Sequence, residues 1–363
     1  MTYVTRINHL KHTDKNPFNN LFIIIYPSGP MDSRNEPREI IRLDLNENHL
    51  LCEEYYETLV SDLDIDISDY PSEYSEELCQ SIAGHIGVRP DQVMVANGSD
   101  EVLEIIFKTM VSKDGVLGYY EPTYGYYSLI ANTNDIKVVE IPLKSDFTLP
   151  GIDGFVDDID ALVVCSPNNP TSLTVDKRYI RALLERDVVV IVDEVYAEFS
   201  SEDCLDLIDD HENLLICRTF SKAWGLAGIR IGYAVSDNDN IMQLIENMRA
   251  YCVNTLSQSI AMSAIDNSHH MERSLEKTLK EREYLSEGLE EIDFNVLPSE
   301  TNFLFCRPPT GIDPFEISRA LEERGILVKT FEEARINDFL RITVGTRDIN
   351  DRLIEELEDI LDS

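Results

Sequence analysis

The sequence has no apolar run long enough to cross a bilayer. Its densest cluster, Leu21 to Tyr26, falls far short of the roughly 20 residues that a spanning helix needs. Its first forty residues lack a basic start followed by a long apolar stretch, so no secretory signal is visible and the expected location is the cytoplasm. The seven cysteines (Cys52, Cys79, Cys165, Cys204, Cys217, Cys252 and Cys306) are odd in number, scattered and never spaced C-x-x-C. That pattern argues against a disulfide frame or a zinc site and leaves buried reduced thiols as the expectation. No histidine cluster joins them, so no metal is expected. No G-x-G-x-x-G follows any predicted strand, which disfavours a nicotinamide dehydrogenase. Basic residues are scarce, 31 against 68 acidic ones, for a net charge of −37. Such a surface repels phosphate backbones and anionic bilayers, so neither nucleic acid nor membrane is an expected partner.

The acidic residues are spread along the chain, with no single acidic tail. The plain reading is high solubility; a sharper one is adaptation to a salty cytoplasm, where screening shortens from about 10 Å at about 0.1 M salt to about 3 Å at about 1 M. The melting temperature of the purified protein is therefore expected to climb by several degrees over that range. Equal melting temperatures at both concentrations would remove the idea.

What is present reads as an enzyme with two layers of organisation. A chain of 363 residues is too long for one simple core, and 43% hydrophobic residues suffice for a globule. Short apolar runs at Val93–Ala96, Gly115–Tyr120, Ile136–Ile141, Ala161–Cys165, Arg186–Asp193, Leu214–Arg218 and Ile229–Val235 alternate with helical patterns. That alternation predicts an α/β domain whose mostly parallel sheet is wrapped by helices. After about Ser257 the texture shifts to a charge-rich amphipathic stretch (Ile260–Leu289), strands at Asn302–Cys306 and Leu340–Val344, and helices at Pro314–Arg324 and Asn350–Leu361. A smaller α+β domain is the expectation. The division expected is an irregular arm at 1–38, part of the small domain and a dimer arm at 39–72, the large domain at 73–256, and the rest of the small domain at 257–363.

Four strand ends carry candidate chemistry. Gly98-Ser99-Asp100 opens a helix whose first free N–H groups can hold a phosphate, although Ser or Asp in that place is more often a plain cap. Ser166-Pro-Asn-Asn169-Pro-Thr follows the strand ending at Cys165, where ligands bind in open α/β sheets. Asp193 ends the most hydrophobic strand, where a carboxylate can partner a protonated pyridine nitrogen, and Tyr196 lies three residues on. Thr219-Phe-Ser221-Lys222 offers two hydroxyls and an amine among small and apolar residues, with the Arg230 guanidinium downstream. Desolvation there would favour the free amine that attacks an aldehyde, while the hydroxyls and guanidinium suit a phosphate dianion. Jointly these describe a pyridoxal phosphate site with Lys222 as its Schiff-base lysine.

Longer stretches carry a resemblance. Ser166-Pro-Asn-Asn-Pro-Thr, Asp193-Glu-Val-Tyr196, Ser221-Lys222-Ala-Trp-Gly-Leu-Ala-Gly-Ile-Arg230 and Leu340-Arg341-Ile-Thr-Val-Gly-Thr346 resemble the fold type I pyridoxal-phosphate aminotransferases. Leu45-Asn46-Glu47-Asn48, Tyr70-Pro71, Glu121-Pro-Thr-Tyr124-Gly-Tyr-Tyr127-Ser and Pro298-Ser-Glu-Thr-Asn302-Phe point within them to the histidinol-phosphate aminotransferases. The resemblance implies covalent attachment of the cofactor at Lys222, Asp193 on the pyridine nitrogen, Asn169 and Tyr196 on the ring oxygen, and Tyr124 stacked on the ring. It implies a phosphate held by Ser99, Asp100, Thr219, Ser221 and Arg230 beside Gly98, with Tyr70 reaching in from the other subunit of a homodimer. Asn46, Tyr124, Asn169, Asn302 and Arg341 are the implied substrate contacts, with Arg341 receiving the anion of histidinol phosphate, glutamate or 2-oxoglutarate. An aromatic or broad-range aminotransferase and a threonine-phosphate decarboxylase are the related alternatives. Three positions depart from the usual pattern: Ser172 where Gly is usual, His49 where Pro is usual, and Ala250 where Pro is common.

Overall fold

The computed structural model describes residues 40–61, 63 and 65–362, and the arm expected at residues 1–38 lies outside them. A short strand β1 (Ile41–Leu43) comes first, then helices α1 (Glu53–Ser61) and α2 (Glu76–Ile86). Seven strands follow: β2 (Val93–Ala96), β3 (Val116–Glu121), β4 (Lys137–Pro142), β5 (Ala161–Cys165), β6 (Val189–Asp193), β7 (Leu214–Thr219) and β8 (Gly232–Val235). They form one sheet in the order β2-β8-β7-β6-β5-β3-β4. Every pairing is parallel except those of β8, which runs against both its neighbours. Parallel strands need crossovers, and α3 (Gly98–Met110), α4 (Tyr126–Thr133) and α5 (Lys177–Leu184) supply them, with α6 (Asn238–Asn247) after β8.

Two expected strands are shorter than their apolar runs. The run from Arg186 becomes β6 only at Val189, because the Arg186 N–H still closes the preceding helix on Leu183 O at 2.9 Å. The run from Ile229 becomes β8 only at Gly232, because Ala227–Ile229 is a tight turn and Arg230 takes a left-handed φ of 54°.

The sheet buries both faces. Along β6, Val190 and Val192 enter one apolar cluster with Val164 and Ile216, and Ile191 enters the other with Val163 and Leu215. A continuous β-branched run is what a strand covered on both sides requires. Asp193 follows Ile191 by two residues, so it inherits the second face.

The amphipathic stretch from Ile260 is two helices, α7 (Thr255–Asp266) and α8 (His269–Glu291), separated at Asn267 and Ser268. Ala261, Ala264 and Met271 pack with the first cluster of the large sheet. The remaining strands are β9 (Asn295–Val296), β10 (Phe303–Arg307), β11 (Ile326–Thr330) and β12 (Leu340–Thr343), with α9 (Pro314–Glu323) and α10 (Arg347–Leu361) against them. They form a five-stranded sheet, β1-β11-β12-β10-β9, in which β1 pairs parallel with β11 and the other pairings are antiparallel. Neither β1 nor β11 was expected as a strand. Among the described residues, no helix is long and apolar enough to cross a membrane. Five of the cysteines are buried, but Cys52 is exposed and Cys252 half-buried, which corrects the expectation of buried thiols at those two positions.

Candidate active site

The carboxyl ends of β2, β5, β6 and β7 open on a cavity of about 310 Å³. Loops leave parallel strands there, and no ladder claims their polar groups. Of the expected residues, Asn46, Ser99, Asp100, Tyr124, Asn169, Asp193, Tyr196, Thr219, Ser221, Lys222, Arg230 and Arg341 line this one cavity. A second cavity of about 320 Å³ lies beside Tyr120, Leu143 and Tyr179, but among the described residues no lysine or arginine lines it.

Lys222 stands half-buried in the wall, its Nζ donating to the Leu45 carbonyl at 3.0 Å and lying 5.7 Å from the centre of the Tyr196 ring. Burial pushes its ammonium down to about 8, and the Arg341 charge adds to the effect against weaker opposition from Glu47 and Asp100. A substantial fraction is therefore free amine in mildly alkaline solution, as a nucleophile requires.

Asp193 is 2% exposed and, among the described residues, has no cationic partner. Its Oδ2 accepts the Tyr127 O–H at 2.5 Å, and its Oδ1 a long 3.4 Å bond from the Val195 N–H. Burial drives this carboxyl up to about 6 despite the Tyr127 bond. A buried carboxylate without a cation is costly unless something bound beside it supplies positive charge.

At the other end of the cavity the backbone of Gly98 and Ser99 lies against β8. A side chain at Gly232 would stand 2.3 Å from the Ser99 nitrogen, so only glycine allows the approach. Gly98 does not line the cavity; it turns the chain at φ +81° beside the Arg230 guanidinium. The helix begins at Gly98 itself, so Ser99 and Asp100 sit in its first turn with unclaimed N–H groups, and neither is the cap. The Thr219 and Ser221 hydroxyls are 3.0 Å apart, and Arg230 Nη2 pairs with Asp100 Oδ2 at 3.2 Å. The Asp100 carboxylate is thus held by Arg230 and, at 3.0 Å, by the Tyr124 hydroxyl. This donor set fits a phosphate.

The third corner is anion-receptive. Arg341 on β12 is buried, and its Nη1 donates to Asn169 Oδ1 at 2.6 Å and its Nη2 to the Asp44 carbonyl at 2.5 Å. Its Nε is buried without a partner among the described residues. Burial lowers its guanidinium from the ordinary value, but an arginine keeps its charge. Asn46 Nδ2 donates to the Tyr196 hydroxyl at 2.8 Å, and burial raises that phenol well above its usual range. Asn169 and Tyr196 are therefore both at the cavity and, in this structure, both already bonded to its other walls.

Besides Gly98, two expected residues are not in the cavity. Asn302 is buried behind it, its Nδ2 donating to the Asn46 carbonyl at 3.0 Å, so it fastens the loop that carries Asn46. Tyr70 is 85% exposed, with its ring 5.3 Å from that of Tyr251, and does not reach the cavity of its own chain. The departure at Ser172 leaves the turn intact. Its φ of 61° is where glycine is usual, and its Oγ donates to the Thr171 carbonyl at 2.6 Å and the Pro298 carbonyl at 3.0 Å. Sequence reasoning missed the roles of Glu47, Cys165 and Val195 in the lining and of Tyr127 behind Asp193. For Tyr127 a signal was present: it belongs to the aromatic run that begins at Tyr124 and enters α4.

Comparison with known proteins agrees with this geometry. The sequence profile of the family described as aminotransferase class I and II matches residues 38–357. The chain is 34% identical over 335 residues to the histidinol-phosphate aminotransferase of Acinetobacter baumannii, covering 89% of this chain and 92% of that protein. The crystal structure of the histidinol-phosphate aminotransferase from Clostridium acetobutylicum superposes with a TM-score of 0.80 at 20% identity, over 88% of this chain and 99% of that one. The L-threonine-O-3-phosphate decarboxylase of Porphyromonas gingivalis superposes with a TM-score of 0.77 at 22% identity, over 89% and 100%. At such identities these superpositions speak for the fold alone.

Proposed function

The chain belongs to the class I and II aminotransferases, and we propose that it uses pyridoxal phosphate to move the amino group of histidinol phosphate onto 2-oxoglutarate, a step of histidine biosynthesis. The observation that carries this reading is the half-buried amine of Lys222, brought into one cavity with a buried carboxylate, a phosphate-type donor set and a buried guanidinium. The choice of substrate rests on the 34% identity to a histidinol-phosphate aminotransferase across most of both chains.

The residues present fit the cofactor. Ser99 and Asp100 N–H groups, the Thr219 and Ser221 hydroxyls and Arg230 would hold its phosphate, Asp193 its ring nitrogen, Asn169 and Tyr196 its ring oxygen, Tyr124 its face, and Lys222 its aldehyde carbon. When bound, it supplies an aldehyde that takes up the amino group and an electron-poor ring that accepts the electron pair left on the substrate carbon. The Lys222 Nζ would also serve as the base that takes a proton from the substrate carbon and later gives it back. Arg341 receives the anion, a phosphate ester in one half-reaction and a carboxylate in the other, because a guanidinium fork accepts either. Leu45 and Val195 add apolar surface to the wall of the same cavity.

On the same reading the enzyme is a cytoplasmic homodimer in which Tyr70 completes the neighbouring subunit's phosphate site. Its exposed ring, with Tyr251 beside it, supports that placement. Residues 73–256 then form the cofactor domain, and 39–72 with 257–363 the smaller one.

The test is the visible absorbance of the purified holoenzyme, followed on separate addition of histidinol phosphate, phenylalanine and threonine phosphate. Histidinol phosphate should bleach the band with a kcat/KM at least about tenfold above that of phenylalanine, the worth of one charge-assisted hydrogen bond. 2-Oxoglutarate should then restore it. Equal rates with phenylalanine would make this a broad-range aminotransferase, and release of carbon dioxide from threonine phosphate would make it a decarboxylase.

A further inference from the structure

Asp193 stands in an unusual row. In register beside it are Cys165 on β5 and Cys217 on β7, both buried, so the acid is flanked by two thiols at the same level of the sheet. Burial drives both thiols upward, so they stay neutral and contribute no charge. The charges that reach Asp193 from neighbouring elements, Asp100 on α3 and Glu194 after β6, are negative and disfavour its ionisation, and Tyr124 and Tyr196 nearby stay neutral phenols. Two hydrogen bonds oppose this, a weak one from the Val195 N–H and a stronger one from a phenol. Tyr127, fully buried on α4, donates its O–H to Asp193 Oδ2 at 2.5 Å.

The ring of Tyr127 is held by aromatic neighbours, with centroids 5.6 Å from Tyr124, 6.0 Å from Tyr119 and 6.4 Å from Phe107. The phenol is thereby fixed in direction. With Oδ2 occupied by Tyr127, Asp193 Oδ1 is left with only the long Val195 N–H bond.

We propose that Tyr127 is a positioning residue of the reaction: its hydroxyl holds the Asp193 carboxylate ionised and fixes its orientation, leaving Oδ1 as the acceptor for a protonated ring nitrogen. The inference rests on the cofactor reading above and adds a residue to it. Burial raises the Tyr127 phenol well above its ordinary value, so it stays protonated and acts as a donor, never as the acid. Asp193, held up to about 6 with this bond in place, titrates higher without it. A hydrogen bond to a charged group corresponds to a shift of about one to two pH units.

The experiment is Tyr127→Phe, which removes one oxygen and leaves the ring. In the apoprotein the Asp193 carboxyl is titrated by infrared difference spectroscopy, with Asp193→Asn to identify its band. The midpoint should rise by about one to two units in Y127F. In the holoenzyme kcat should fall about tenfold or more while KM for the amino donor stays within about twofold, because the loss is confined to the transition state. A third measurement needs no variant: the wild-type apoprotein should give a slowly exchanging phenol proton resonance, downfield of the amides, from the buried Tyr127–Asp193 bond. An unmoved carboxyl midpoint, an absent downfield resonance, or a loss seen only in KM would overturn the proposal. The carboxyl titration uses no cofactor, so a wild-type protein that failed to bind pyridoxal phosphate would sink the functional reading separately.

Discussion

Replacing Lys222 by alanine is expected to lower kcat by about 10⁴-fold or more, equivalent to about 5 kcal/mol of lost transition-state stabilisation. Two tasks disappear together, the covalent hold on the cofactor and the base that moves the proton, and nothing nearby can assume either. Arg230 and Arg341, the other cations of the cavity, are guanidinium groups that do not give up a proton. Lys222→Arg should therefore fail nearly as completely despite keeping the charge. The checks are single-turnover kinetics and borohydride reduction, which should label Lys222 in the wild type and nothing in the variants. A variant within tenfold of wild-type activity would end the case for this lysine.

The same side chain has an opposite effect on stability. Its folded value of about 8 lies below the ordinary 10.5. Below about pH 8 both folded and unfolded chains carry the proton, and the fold bears the penalty of a partly desolvated ammonium. Between about 8 and 10.5 the folded chain has released a proton that the unfolded chain still binds, so this group's contribution to stability improves as pH rises. Lys222→Met, which fills the same space without charge, should melt higher than the wild-type apoprotein at pH 7, with the gap closing toward pH 10. Active sites commonly carry groups that the fold alone would not choose.

Much of this site could be read from the sequence because strand ends are local events. A β-branched run that stops at Asp193, or an apolar run that stops at Thr219, places its polar residue at a carboxyl edge whatever the rest of the chain does. Once the strands were judged parallel, four such edges had to converge. Long-range contacts were less legible. Asn302 looked like a substrate contact but is an anchor for the Asn46 loop, 256 residues away in sequence, and no local pattern encodes that pairing. β1 and β11 were missed for a related reason: they pair with each other in parallel from opposite ends of the described chain, and no local pattern encodes that pairing. Tyr127 was visible in the aromatic run that follows Tyr124, but its bond to Asp193 depends on how α4 settles on the sheet. The His49 departure is accommodated locally, its ring nitrogen bonding the Arg42 carbonyl at 2.9 Å.

Arg341→Ala is expected to lower kcat/KM about 10- to 100-fold for the amino donor and for 2-oxoglutarate alike. One charge-assisted hydrogen-bonded contact contributes about 1.5–3 kcal/mol, and both substrates would use the same contact. The guanidinium is well placed to be shared. Bonds to Asn169 and the Asp44 carbonyl fix its plane, the Phe303 ring lies 5.3 Å from its central carbon, and its Nε has no partner among the described residues. A rigid fork with donors in reserve can accept a tetrahedral phosphate or a planar carboxylate without rearranging its own supports. Lysine at this position would keep the charge but lose the fork and the bond that orients Asn169, so Arg341→Lys should recover only part of the loss. Cofactor binding should survive in both variants, since neither Lys222 nor the phosphate donors are removed. Steady-state kinetics with each substrate varied in turn make the check. A defect for one substrate but not the other would mean that the two anions are received at different places, and the single-fork account of dual specificity would fall.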